Sequence, residues 1–112
     1  NVSSIEGIQP ASGHAHYSAA KAGVIMHTRA AALELGPSGI RVNAVRAGFI
    51  YTEIHASGGE PNRVDRVKGF VPMQRGGTAD EVAHAILWLL SDEASYTTGS
   101  FIDVEYKLSE RI

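Results

Sequence analysis

The order of its segments constrains this chain more than any single residue does. Asn1-Val2-Ser3-Ser4 reads as the end of a strand, and Gly7, Pro10, Ser12 and Gly13 then break the chain. A proline-free helical stretch runs from about Ala15 to Leu35, and a strand pattern follows near Arg41 to Val45. A loop region from about Tyr51 to Gly77 leads to a second helix, about Ala79 to Ser91, and a last strand covers roughly Ser100 to Val104. Strands separated by helices cannot pair through tight hairpins; they pair in parallel through crossover units, which places the chain in the α/β class. Thr78 and Glu81 have capping-box spacing at the start of the second helix, whose apolar face is Val82, Ala85, Ile86, Leu89 and Leu90. The first helix is apolar around much of its circumference, through Ala19, Ala22, Val24, Met26, Ala30 and Leu33. It is therefore expected to be buried on more than one side, either by its own sheet and a partner subunit or within a crowded core.

Within that helix, Tyr17 and Lys21 stand four residues apart, which puts a phenol and an ammonium on one face. A cation held beside a phenol favours the phenolate, so the pair can trade a proton with a bound molecule. Taken alone, the same spacing describes any surface Tyr and Lys. The context adds two features: the Ser3 and Ser4 hydroxyls arrive from a strand end toward the start of the helix, and Gly39 to Arg46 forms a strand that turns out through Ala47-Gly48-Phe49-Ile50-Tyr51-Thr52.

This order of Ser, Tyr-x-x-x-Lys, strand, Gly turn and Thr resembles the second half of a short-chain dehydrogenase/reductase. The resemblance runs from Asn1 to about Val104. Ser4 lies thirteen positions before Tyr17, the family's usual separation, and Ser3 stands one position earlier in the chain. Arg41-Val42-Asn43-Ala44-Val45 followed by Gly48 is similar to the family's RVNxVxPG segment, and Asp92 to Gly99 is similar to its SDxASYxTG approach to the last strand. The stretch from Phe49 to Gly77, with His55 to Pro61 and Pro72 to Gly77, resembles a poorly characterised bacterial branch of these oxidoreductases.

The resemblance implies the C-terminal part of a Rossmann-like, doubly wound parallel sheet in three α/β/α layers. It implies an NAD(P)-dependent oxidoreductase that moves hydride between a nicotinamide cofactor, NAD or NADP, and a small carbonyl or alcohol substrate. Tyr17 is then the acid/base. Lys21 favours its phenolate and bonds the nicotinamide ribose, and Ser4 donates to the substrate oxygen. The turn after the middle strand would meet the nicotinamide carboxamide through the Ile50 backbone and the Thr52 hydroxyl, with Gly48 permitting close approach. The family also implies a dimer or tetramer formed through the helix at 15–35.

Several departures qualify that picture. The chain holds no TGxxxGxG loop, no ribose-reading residue after a second strand and no NNAG segment, so the features that grip adenosine and pyrophosphate are absent from it. A chain that opens at Asn1 in the middle of a motif reads as a piece of a longer one. Ala47 stands where the family's turn has proline, which is expected to loosen the bend before Gly48 and Ile50. The tail from Glu105 to Ile112 replaces a glycine-rich ending.

With 112 residues the chain amounts to one domain or part of one. A formal net charge of −2 supplies no field for nucleic acid or an anionic membrane. There is no cysteine, which excludes disulfides and thiolate metal sites and fits a cytoplasmic setting. No apolar run reaches a membrane span and no signal-peptide pattern is present. His14, His16, His55 and His84 show no ligand spacing, so no metal is expected, and His14 and His16 read as the polar rim of a cleft. Gly58-Gly59 reads as a loop, Arg63, Asp65, Arg66 and Lys68 as the solvated face of a short helix, and Trp88 as core or interface. Beside the oxidoreductase stands an alternative for the 112 residues alone: an inactive remnant that only oligomerises or binds a small molecule.

Overall fold

The structure is a computed structural model and describes residues 1–8, 12–52, 62, 64, 65, 69 and 71–105. Three strands form one sheet in the order β1 (Val2–Ser4), β2 (Ala44–Ala47), β3 (Phe101–Val104), and both pairings are parallel. Helix α1 (Ala15–Leu35) links β1 to β2, and helix α2 (Ala79–Leu90) lies between β2 and β3 in the chain. Parallel neighbours force these crossovers, as the alternation of strand and helix signals required. The register sets Ser4 beside Ala47 and Ala47 beside Val104, so all three strands finish level, at the edge where ligands of open parallel sheets bind.

Burial centres on the first two strands, where Ser3 and Ser4 of β1 are covered beside the middle strand. Ala44 and Val45 are almost fully covered, and Ile25, Thr28 and Ala32 of α1 and Leu89 of α2 are buried with them. Ile25, Thr28 and Ala32 follow one another at spacings of three and four, a single helical stripe. Thr28 is held in that stripe by donating to Val24 O at 2.7 Å and accepting from Asn1 Nδ2 at 2.9 Å. On the side of β3, two guanidinium groups approach the Phe101 ring, Arg29 of α1 at 5.3 Å and Arg46 of β2 at 5.1 Å from its centroid. Arg46 also forks onto Asp103, its cross-strand neighbour.

Three expectations need correction. The middle strand begins at Ala44, not Arg41, because the preceding residues are tied to the loop before β3 by side chains. Asn43 exchanges bonds with Thr97 O and Ser100 N, Val42 N donates to Thr98 Oγ1, and Arg41 reaches Ser91 O and Thr97 O. Helix α1 is buried along one stripe only: Met26 is 61% and Leu33 81% exposed, and Ala19, Ala22 and Ala30 also face outward, so within this chain it does not sit in a crowded core. In α2, Leu90 is 74% exposed and Trp88 is partly open, while Leu89 carries the contact. Gly58-Gly59, Arg63, Arg66 and Lys68 lie outside the described residues.

The capping box of α2 is complete in both directions, with Thr78 Oγ1 accepting from Glu81 N at 3.2 Å and Glu81 Oε1 accepting from Thr78 N at 2.9 Å. Arg75 grips the same carboxylate through two bonds of 2.8 and 3.0 Å, and with the Thr78 amide it pulls Glu81 down to about 2. Replacing Thr78 with Ala is expected to cost about 1 kcal/mol in urea unfolding of the protein, the usual value of such a cap. An unchanged midpoint would mean that the box contributes nothing.

Candidate active site

Ser4 closes β1, and Tyr17 stands in the first turn of α1 with Lys21 one turn further on. The helix meets the strand closely for identifiable reasons. Ser3, almost fully buried, donates to Lys21 O at 2.8 Å, and Lys21 Nζ donates to Val2 O at 3.3 Å. Gly7, in the 3-10 turn Ile5–Gly7, lies so close to α1 that a Cβ there would stand 3.1 Å from both Lys21 C and Lys21 O and 2.9 Å from Ile25 Cδ1. A side chain at that point would crowd the helix backbone, and glycine avoids the crowding.

Beside those contacts Tyr17 stays exposed, Lys21 is half-buried and Ser4 is buried. The Lys21 ammonium lies 5.6 Å from the centroid of the Tyr17 ring, which is 36% exposed. Its bond to Val2 O is its one hydrogen bond among the described residues, so two of its three donors are available to a ligand. Ser4 Oγ accepts from Glu6 N at 3.2 Å, and its own proton has no acceptor among the described residues. Ser3, by contrast, spends its hydroxyl on the helix, which separates the two neighbouring serines by role.

The turn after β2 carries the remaining residues. Gly48 N donates to Val104 O at 3.1 Å, and a Cβ on Gly48 would collide with the Cβ of Glu105. Ile50 forms a parallel bridge with Gly77, in which Gly77 N donates to Phe49 O at 2.8 Å and Tyr51 N to Gly77 O at 2.9 Å. In that geometry the amide and carbonyl of Ile50 itself face away from Gly77. The Tyr51 hydroxyl donates to Asp65 Oδ1 and accepts from Gly76 N, and Thr52 beyond it is exposed. The loosening expected from Ala47 is therefore not found: β2 runs through Ala47, and the bend behind it is pinned on both sides. A cavity of about 440 Å³ opens beside this turn, lined by Phe49, Val71, Met73, Val104 and Glu105 among others.

Sequence patterns did not find Glu6, which bonds both Ser4 and His14, or Glu105, whose Oε2 is buried without a partner among the described residues. Glu6 becomes a site residue only because the chain folds back by eight positions, and no periodicity marks that. His14 and His16 read as rim residues; His14 is half-buried, His16 is exposed, and no group of three or more metal-ligating side chains occurs among the described residues. No helix among them is long and apolar enough to cross a membrane.

An open parallel sheet whose neighbouring strands are linked by helices defines an α/β protein of the Rossmann-like kind. The family described as enoyl-(acyl carrier protein) reductase matches residues 1–106. The uncharacterized oxidoreductase YgfF of Escherichia coli (strain K12) is 60% identical over 105 residues, which span 93% of this chain and 42% of that protein. A solved oxidoreductase of the short-chain dehydrogenase/reductase family from Burkholderia thailandensis superposes with a TM-score of 0.84 at 36% identity, covering 93% of this chain and 41% of its own. NAD+-bound xylitol dehydrogenase gives 0.82 at 30% identity, covering 96% and 47%. The chain belongs to the short-chain dehydrogenase/reductase family. It spans less than half the length of these relatives.

Burial pushes the Glu105 carboxyl up to about 7; Asp103 adds to the rise and Arg46 opposes it. A carboxyl raised in the folded state favours folding at low pH, where it is protonated, and that contribution is lost as pH rises from 4.5 through about 7. Urea midpoints are expected to fall across that window and to flatten in Glu105→Gln; an equally steep profile in the variant would clear Glu105. Gly48→Ala is expected to destabilise by about 1–3 kcal/mol through overpacking. Glu105→Gly should relieve part of that loss, and a loss that is the same in both backgrounds would locate the strain elsewhere.

Proposed function

We propose that the protein carrying these residues transfers hydride between a nicotinamide dinucleotide, NAD or NADP, and the carbonyl or alcohol carbon of a small molecule. The observation that carries this reading is the Lys21 ammonium, 5.6 Å from the Tyr17 ring centroid, whose bond to Val2 O is its one hydrogen bond among the described residues and leaves two donors to spare. In the direction of reduction Tyr17 gives its phenolic proton to the substrate oxygen, and in oxidation the phenolate removes the hydroxyl proton. Lys21 has donors for ribose hydroxyls. The unspent Ser4 proton suits the substrate oxygen, where a fixed donor stabilises developing charge. Gly48, the Ile50 backbone and Thr52 suit the carboxamide end of the cofactor. When bound, the nicotinamide supplies the hydride chemistry, and the protein supplies alignment and the proton.

Residues 1–112 are the catalytic C-terminal half of a single Rossmann-like domain in this reading, and 51–77 is its substrate-side loop region. No glycine-rich phosphate loop is among them, so we assign turnover to a chain that supplies one and none to these 112 residues alone. The exposed Met26 and Leu33 of α1 support a dimer or tetramer formed through the helix at 15–35. A soluble cytoplasmic enzyme acting on small molecules, without nucleic acid, membrane or metal, fits the charge and the absence of cysteine.

The test is NADH- or NADPH-dependent absorbance change in the full-length protein with a panel of small ketones and aldehydes. Tyr17→Phe is expected to abolish turnover and leave nucleotide affinity nearly intact, Lys21→Ala to weaken both, and Ser4→Ala to lower turnover chiefly. Substantial turnover in Tyr17→Phe would sink the assignment.

A further inference from the structure

Ser4 and Tyr17 come from different elements, and one residue between them touches the surroundings of both. Glu6 stands in the 3-10 turn that follows β1. Its backbone N–H donates to Ser4 Oγ at 3.2 Å, and its two carboxylate oxygens lie 3.1 and 3.2 Å from His14 Nδ1. His14 is the N-cap of α1, yet it makes no side-chain cap bond; the imidazole is turned toward Glu6 instead of toward the helix amides. Its ring then meets Tyr17 edge-on, with centroids 6.3 Å apart and planes inclined at 63°.

The pair is better shielded than a surface ion pair. The Glu6 side chain is 14% exposed and that of His14 38%, so salt and water compete with it less than they would at an open surface. With a carboxylate at Nδ1, that nitrogen carries the proton and the ring is held in one orientation. Tyr17 is therefore flanked on one side by Lys21 and on the other by an imidazole that is itself anchored. The amide bond to Ser4 occupies an acceptor site on its oxygen and leaves the hydroxyl proton to be aimed elsewhere.

We infer that Glu6 is a positioning residue for the reaction, fixing the Ser4 hydroxyl through its main chain and the Tyr17 ring through His14. This rests on the roles proposed above for Ser4 and Tyr17. A misplacement of about 1 Å at the reacting groups can cost about a hundredfold in rate, so a side chain that touches no substrate still controls turnover. The carboxylate is the separable half of the device, because every substitution except proline keeps the amide.

Steady-state kinetics of the full-length protein test it, with Tyr17→Phe as the reference variant. Glu6→Ala is expected to lower kcat about ten- to a hundredfold while KM and nucleotide affinity stay within about twofold, the pattern of lost orientation, not lost binding. Glu6→Gln keeps an acceptor for the His14 N–H and should restore most of the rate. His14→Phe keeps a ring but loses the anchor, and should fall as Glu6→Ala does. The double variant should be no slower than either single one, because both break the same link. An unchanged kcat in Glu6→Ala, or losses that simply multiply in the double variant, would overturn the inference. If Glu6→Ala does not fold, His14→Phe takes its place, and a kcat within about twofold of the parent overturns the inference in the same way. Full turnover in Tyr17→Phe would instead remove the catalytic assignment on which it stands.

Discussion

The seam between β1 and α1 is the constraint on which the rest depends. A strand three residues long and a helix of twenty-one are brought together by Ser3 donating to the Lys21 carbonyl and Lys21 donating to the Val2 carbonyl. The missing Cβ of Gly7 lets the intervening turn lie directly on the helix backbone. This seam fixes the level of Tyr17 and Lys21 against the end of the strand, and with it the relation of the phenol to the Ser4 hydroxyl. If the seam opened, the Tyr-x-x-x-Lys spacing would survive on the helix, but the strand hydroxyl would no longer accompany it.

The sheet continues the same logic. Because Ser4, Ala47 and Val104 share one register, the end of β1 and the turn beginning at Gly48 arrive at a common edge. Gly48 has no room for a side chain because Glu105 leaves β3 directly beside it, and the bridge from Ile50 to Gly77 closes the turn from the other side. Dense backbone bonding of this kind is how a scaffold holds a loop precisely enough for a ligand without burying it. One oxygen of the Glu105 carboxylate is buried there, and that burial, with Asp103 nearby, raises its pKa.

Much of the fold was legible because it depends on local chemistry. Helix α1 has the bounds that its pattern gave, and α2 starts where Thr78 and Glu81 cap it. Of the candidate site, the proximity of Tyr17 and Lys21 was legible because both stand on one helix, and the structure sets the ammonium 5.6 Å from the ring. Legibility ended where contacts cross between elements. Asn43 trades its place in the strand for bonds to Thr97 and Ser100, Leu90 turns outward where an apolar face predicted burial, and Glu6 finds His14 across a loop.

The sequence by itself determined the order of strands and helices, their parallel pairing and the residue types that chemistry of this kind requires. Those follow from periodicity, capping and spacing, which act over a few residues and can be read along the chain. Tertiary structure alone decided which of two adjacent serines donates to the helix backbone, which stripe of an apolar helix is buried, and which carboxylate holds His14 against Tyr17. These choices turn on distances of a few ångströms between residues far apart in the chain, and only packing sets such distances.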